Sequence, residues 1–111
     1  MKHTPKQIEA LVVKLLHDIN REYLTNRQIQ VSFEENLKTI YGDRLLQNGW
    51  DVLVPVADDR WNKEEGTGII IAIDDDSLEV VSYLDCSMGR PIPMRAEKNL
   101  LGKYELRIIP Q

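Results

Sequence analysis

The chain has one cysteine and two histidines in 111 residues, and no long apolar run. Cys86 alone cannot close an internal disulfide. Residues 1–5 lead straight into a patterned segment rather than an uninterrupted apolar leader, and the two features together favour a reducing cytoplasm. A run of about 18 apolar residues is missing, which excludes a membrane-spanning helix. Repeats and low-complexity tracts are also missing. What is present is an ordinary globular composition, 42% hydrophobic and 29% charged. That suits a single domain, spanning residues 1–111, which buries about two-thirds of its unfolded surface.

The net charge of −4 is unevenly placed. Residues 1–55 carry seven bases and seven acids, so they sum to zero. Residues 58–85 carry nine acids and two bases, and residues 86–111 carry five bases and two acids. The negative excess therefore sits in one stretch. Such a field repels nucleic acid and attracts basic surfaces.

Thr4, Pro5 and Gln7 form an N-cap, a first-position proline and a capping box. Ile8, Leu11, Val12, Leu15, Leu16, Ile19 and Tyr23 follow at helical spacing, which predicts an amphipathic helix ending near residues 25–27. Ile29, Val31 and Phe33 then alternate like a short strand. From Ser32 a capping box with Glu35, and the spacing of Phe33, Leu37, Ile40, Tyr41 and Leu45, predict a second helix over residues 33–47, stopped at Asn48-Gly49. The competing reading is one long bent strand over residues 28–41 followed by a loop.

After Gly49 the period is two, with Trp50, Val52, Val54 and Val56 on one face. Pro55 marks that strand as an edge or a bulge. Gly68 to Ile73 is apolar on both faces, as a central strand would be. Asp74 to Ser77 is a turn, and Leu78 to Leu84 is a return strand with Glu79 and Ser82 partly exposed. A single helical turn is expected over residues 96–101, then a last strand from Tyr104. The fold class is α+β: an N-terminal helix, with a possible second, packed on three to four antiparallel strands.

Chemistry is harder to find. Asp74, Asp75 and Asp76 supply oxygens for a hard cation, and a small metal-binding domain or enzyme built on that turn is the alternative function. Three consecutive turn residues point in different directions, however, and the spacing of a calcium loop is absent. His3, His17 and Cys86 are too scattered for zinc. Cys86 has no adjacent base and reads as an inert, partly buried residue, and no serine lies in a nucleophile elbow. Gly66-Thr67-Gly68 precedes a strand, so it lacks the helix N-terminus that would hold a phosphate. Neither a catalytic set nor a cofactor site is expected.

The remaining signal is an interaction surface. Asp58, Asp59, Glu64 and Glu65 surround Trp61, and Asp74, Asp75 and Asp76 extend the acidic span. A large aromatic with an acidic rim suits capture of a basic protein partner. Arg90, Arg95, Lys98, Lys103 and Arg107 are available to neutralise that span from within. Size and charge resemble immunity proteins and antitoxins, which occlude a toxin or nuclease. Contact with nucleic acid or membrane is not expected. An accessory role, through an apolar edge near Pro55 or Tyr104, is a third possibility. The sequence leaves open whether the chain is a monomer or a homodimer.

Overall fold

The structure is a computed structural model that describes residues 1–39, 44–57, 68–87 and 90–110. Helix α1 spans Pro5–Asp18 and begins as its caps dictate. Thr4 Oγ1 accepts from Gln7 N–H at 3.2 Å, and Gln7 Oε1 accepts from Thr4 N–H at 2.8 Å. Ile8, Val12, Leu15 and Leu16 are fully buried, and Leu11, Ile19 and Tyr23 are partly buried beside them. The helix stops earlier than its apolar period suggests. Asn20 adopts φ 56°, Asn20 N–H donates to His17 C=O, and Arg21 N–H donates to Leu16 C=O at 2.8 Å. This is a Schellman ending with asparagine in the left-handed position that usually takes glycine.

Six strands follow: β1 Gln30–Lys38, β2 Leu45–Val54, β3 Ile69–Asp74, β4 Val80–Asp85, β5 Met94–Lys98 and β6 Tyr104–Ile108. They form one antiparallel sheet in the order β1-β2-β3-β4-β5-β6, each strand pairing with the next. The architecture is α+β, with six strands rather than three to four. Helix α1 comes closest to the two outer strands, β1 and β6, so the sheet curves around it. The Cα radius of gyration is 13.2 Å, as expected for one compact domain of this length.

Neither expected later helical segment is helical among the described residues. Residues 33–38 belong to β1 and residues 45–47 to β2, so the longer strand reading of this region is nearer the structure. The reason is arithmetic. Phe33, Leu37, Tyr41 and Leu45 are four apart, a spacing that suits one face of a helix but also, being even, one face of a strand. Cross-strand pairing decides between them: Phe33 sits opposite Trp50, with ring centroids 5.2 Å apart in an edge-to-face contact. Gly49 is no helix stop but lies inside β2. Likewise, the residues expected to form a late helical turn are split between β5 and the following turn.

Strand β3 is an inner strand buried on both sides. Ile69, Ile71 and Ile73 join Trp50, Val52, Val54, Val80 and Tyr83 under the helix. Ala72, on the other face, packs with Val81, Leu37 and Leu46. By strand parity Leu37 and Leu46 would share the inner face with Phe33 and Trp50. Asn36, at φ 56°, bends β1 there. The far end of the β1–β2 ribbon thus folds over the outer face. Gly49 permits this, since a Cβ there would lie 2.8 Å from Leu37 Cδ2. Ser82 is buried rather than exposed. Pro55 lies just beyond β2, which is an inner strand, so no ladder bond is lost and neither edge nor bulge is needed.

Candidate partner-binding surface

In sequence the acidic stretch lies on both sides of β3. Asp74 ends β3, and Asp75 and Asp76 follow it in the β3–β4 turn. The connection carrying Asp58, Asp59, Trp61, Glu64 and Glu65 leaves β2 at Val54 and enters β3 at Ile69, which pair with each other at the opposite end. Six residues of β3 separate the turn from that root, roughly 17 Å. Those five residues lie outside the described residues. Their root is well fixed: Pro55 C=O accepts from Leu24 N–H at 2.9 Å, and Gly68 C=O accepts from Cys86 N–H at 3.0 Å. Only glycine fits at 68, because a Cβ would fall 2.0 Å from the Val54 carbonyl oxygen.

The three turn aspartates differ in what they do. Asp74 folds the turn on itself: Oδ1 accepts from Asp76 N–H at 3.0 Å and Oδ2 from Ser77 Oγ at 3.1 Å. Asp76 is exposed, 3.2 Å from Lys2 Nζ. Asp75 points inward and is 1% exposed. Its carboxylate accepts from Lys2 N–H at 2.6 Å, His3 N–H at 3.2 Å and Trp50 Nε1 at 2.9 Å, with His3 Nδ1 also at 3.2 Å. Burial alone would push Asp75 up, but these donors outweigh it and hold the carboxyl at about 2. Asp75 is therefore a structural tie between the N-terminal segment, β2 and the turn, and its carboxylate does not face outward.

Glu79 and Asp85, the remaining described acids of this stretch, also have partners. Glu79 meets Arg44 at 2.9 Å. Asp85 accepts from Arg21 Nε at 2.8 Å and from Ser87 Oγ at 2.6 Å, while Arg21 Nη2 donates to Ser87 Oγ at 3.0 Å. Burial raises the Asp85 carboxyl, and the Arg21 and Ser87 hydrogen bonds more than reverse that. Beside it the Tyr83 hydroxyl is pushed above its ordinary range by burial and by Asp85, against the pull of Arg21.

The neutralising cations come from the first half of the chain, namely Lys2, Arg21 and Arg44. Among the described residues, none of the expected late bases pairs with an acid of this stretch. Arg95 and Arg107 pair with Glu97 and Glu105 on β5 and β6, and Lys98 lies over the Tyr104 ring.

Among the described residues no three His, Cys, Asp or Glu side chains gather in a way that could hold a metal ion. His17 is exposed, and Cys86 is partly buried. Tyr83 and Tyr104 are buried, as strand tyrosines often are. Comparison of the chain with protein-family models, with curated proteins and with solved structures gave no match.

Proposed function

We propose that this protein is a small, acidic, non-catalytic binding module, of the kind represented by immunity proteins and antitoxins. Its partner would be a basic protein that it occludes. The observation that supports this reading is the β2–β3 connection. Fourteen residues, 55–68, separate the inner strands β2 and β3 in sequence, more than separate any other two consecutive described elements. Long connections on a rigid scaffold are where recognition usually resides.

That connection carries four acids, two bases and Trp61. The acids further along are largely committed within the fold, as the partners of Asp75, Asp76, Glu79 and Asp85 indicate. The reading thus contracts from the whole acidic stretch to Asp58, Asp59, Trp61, Glu64 and Glu65. Asp74 and Asp76 provide at most a weaker second contact at the far end of β3.

In mechanism, the acids accelerate encounter with a Lys/Arg-rich surface and Trp61 supplies the anchoring contact. A partner captured from native lysate at low salt, identified and purified, provides the test. Trp61→Ala combined with Asp58→Lys and Asp59→Lys should weaken its binding by roughly tenfold or more. Unchanged affinity in that triple variant would remove this surface from the explanation.

A further inference from the structure

Strand β6 closes the sheet, and its outward edge is only half covered. Asn99 N–H donates to Lys103 C=O at 2.9 Å, and Ile109 N–H donates to Pro93 C=O at 3.0 Å. These bonds fix the alternation of the β5–β6 ladder. Odd-numbered residues of β6 face β5, and Tyr104, Leu106 and Ile108 turn N–H and C=O outward. Helix α1 takes the first of them, since Asp18 Oδ2 accepts from Tyr104 N–H at 3.0 Å. Lys14 Nζ donates to Gly102 C=O at 3.0 Å just beside it. Leu106 and Ile108 have no outward backbone partner among the described residues.

A groove of about 340 Å³ adjoins this open half, walled by Ile19, Tyr83, Met94 and Leu106. Pro91 and Ile92 line it as well, and its charged lining is Arg21, Asp85 and Arg90. Ile92 is 58% exposed, and Ile108, on the open edge, is 65% exposed. Arg21 is engaged by Asp85, whereas Arg90 is exposed and has no ion pair among the described residues.

We propose that the open half of β6 and this groove dock an extended peptide ending in a free carboxylate. The peptide adds a short strand by pairing with Leu106 and Ile108. One apolar side chain enters the groove, and the carboxylate meets Arg90. A second copy of this chain fits less well. Two-fold antiparallel pairing centred on Leu106 would need the Tyr104 N–H that Asp18 holds. Pairing centred on Arg107 would set two arginines directly opposite each other, a destabilising arrangement. Pairing centred on Ile108 would set Leu106 opposite Pro110, which has no N–H to donate. The site uses other residues and the opposite charge from the proposed acidic surface, so the two stand or fall separately.

The test passes a pool of random octapeptides with free C-termini over the immobilised protein, with the same pool amidated as control. Enriched peptides are then followed by backbone amide shifts. Ile108→Pro removes an outward N–H and no ladder bond, the one setting in which an edge strand tolerates proline. Its melting curve confirms that it is folded, and Arg90→Ala provides a second variant away from the backbone.

The expected result is peptides with Kd of about 10–100 μM that shift Leu106 and Ile108. Binding should weaken roughly tenfold on amidation or in Arg90→Ala, the loss of one charged hydrogen-bonded contact, and vanish in Ile108→Pro. No enrichment over the Ile108→Pro column, or shifts centred elsewhere, would overturn the proposal. So would concentration-dependent dimerisation abolished by Ile108→Pro, which would give the edge to a second copy.

Discussion

The carboxylate of Asp75 joins Lys2, His3 and Trp50, residues far apart in the chain, and the fold depends on it more than on either neighbouring aspartate. Asp75→Asn keeps the shape but puts an amide where indole and backbone donors converge. It should cost about 2–3 kcal/mol, read as a lower urea midpoint at unchanged slope. The pH dependence has a definite sign. With its folded value near 2, below the ordinary carboxylate range, Asp75 contributes full stability above about pH 5. That contribution fades as pH falls toward 2. The Asp75→Asn variant should therefore lose less stability than the parent over this interval.

Gly68→Ala makes a second residue-level test. Its Cβ would strike the Val54 carbonyl, so strands β2 and β3 must separate at their joint, at a cost of about 1–3 kcal/mol. Neither role could be read from the chain alone. Three aspartates in a row signal a polar turn, and nothing local indicates that the middle one serves an indole 25 positions away.

Elements were legible where two independent signals agreed. The start of α1 combined a capping box, a proline and an apolar stripe, and all three operate in the structure. Thr4→Ala should cost about 1 kcal/mol, visible as a lower melting temperature. The isoleucine-rich β3 was equally legible, because only an inner strand can be apolar on both faces. The end of α1 was missed because Tyr23 continued the apolar period while Asn20 carried the stop. Asn20→Val should destabilise by about 1–2 kcal/mol, the cost of a left-handed β-branched residue. Asn20→Gly should be close to neutral, and melting curves of the pair separate conformation from hydrogen bonding. The β1–β2 region failed for a different reason. A four-residue spacing is compatible with both periods, and the deciding contact, Phe33 with Trp50, is long-range.

At the scale of the whole molecule, the sequence located the charge but not how it is neutralised. Asp76, Glu79 and Asp85, near β3 and β4, are matched by Lys2, Arg44 and Arg21, cations from the N-terminal half that only the tertiary fold brings close. Exposed ion pairs of this kind, such as Lys2 with Asp76, add little stability and weaken with salt. They do, however, match Asp76, Glu79 and Asp85 with one cation each. The candidate surface is left with the connection between β2 and β3, whose root the fold holds firmly.

Fluorescence quenching tests that surface most directly and needs no partner. Trp50 is 1% exposed, so any tryptophan emission open to solvent must come from Trp61, and a Trp61→Phe control verifies the assignment. An outward Trp61 among uncompensated acids should be quenched much more strongly by caesium than by iodide at low ionic strength. The two should converge in high salt as screening shortens the reach of the acids. Emission indifferent to both ions, or quenched equally by them in low salt, would contradict an outward, negative docking surface.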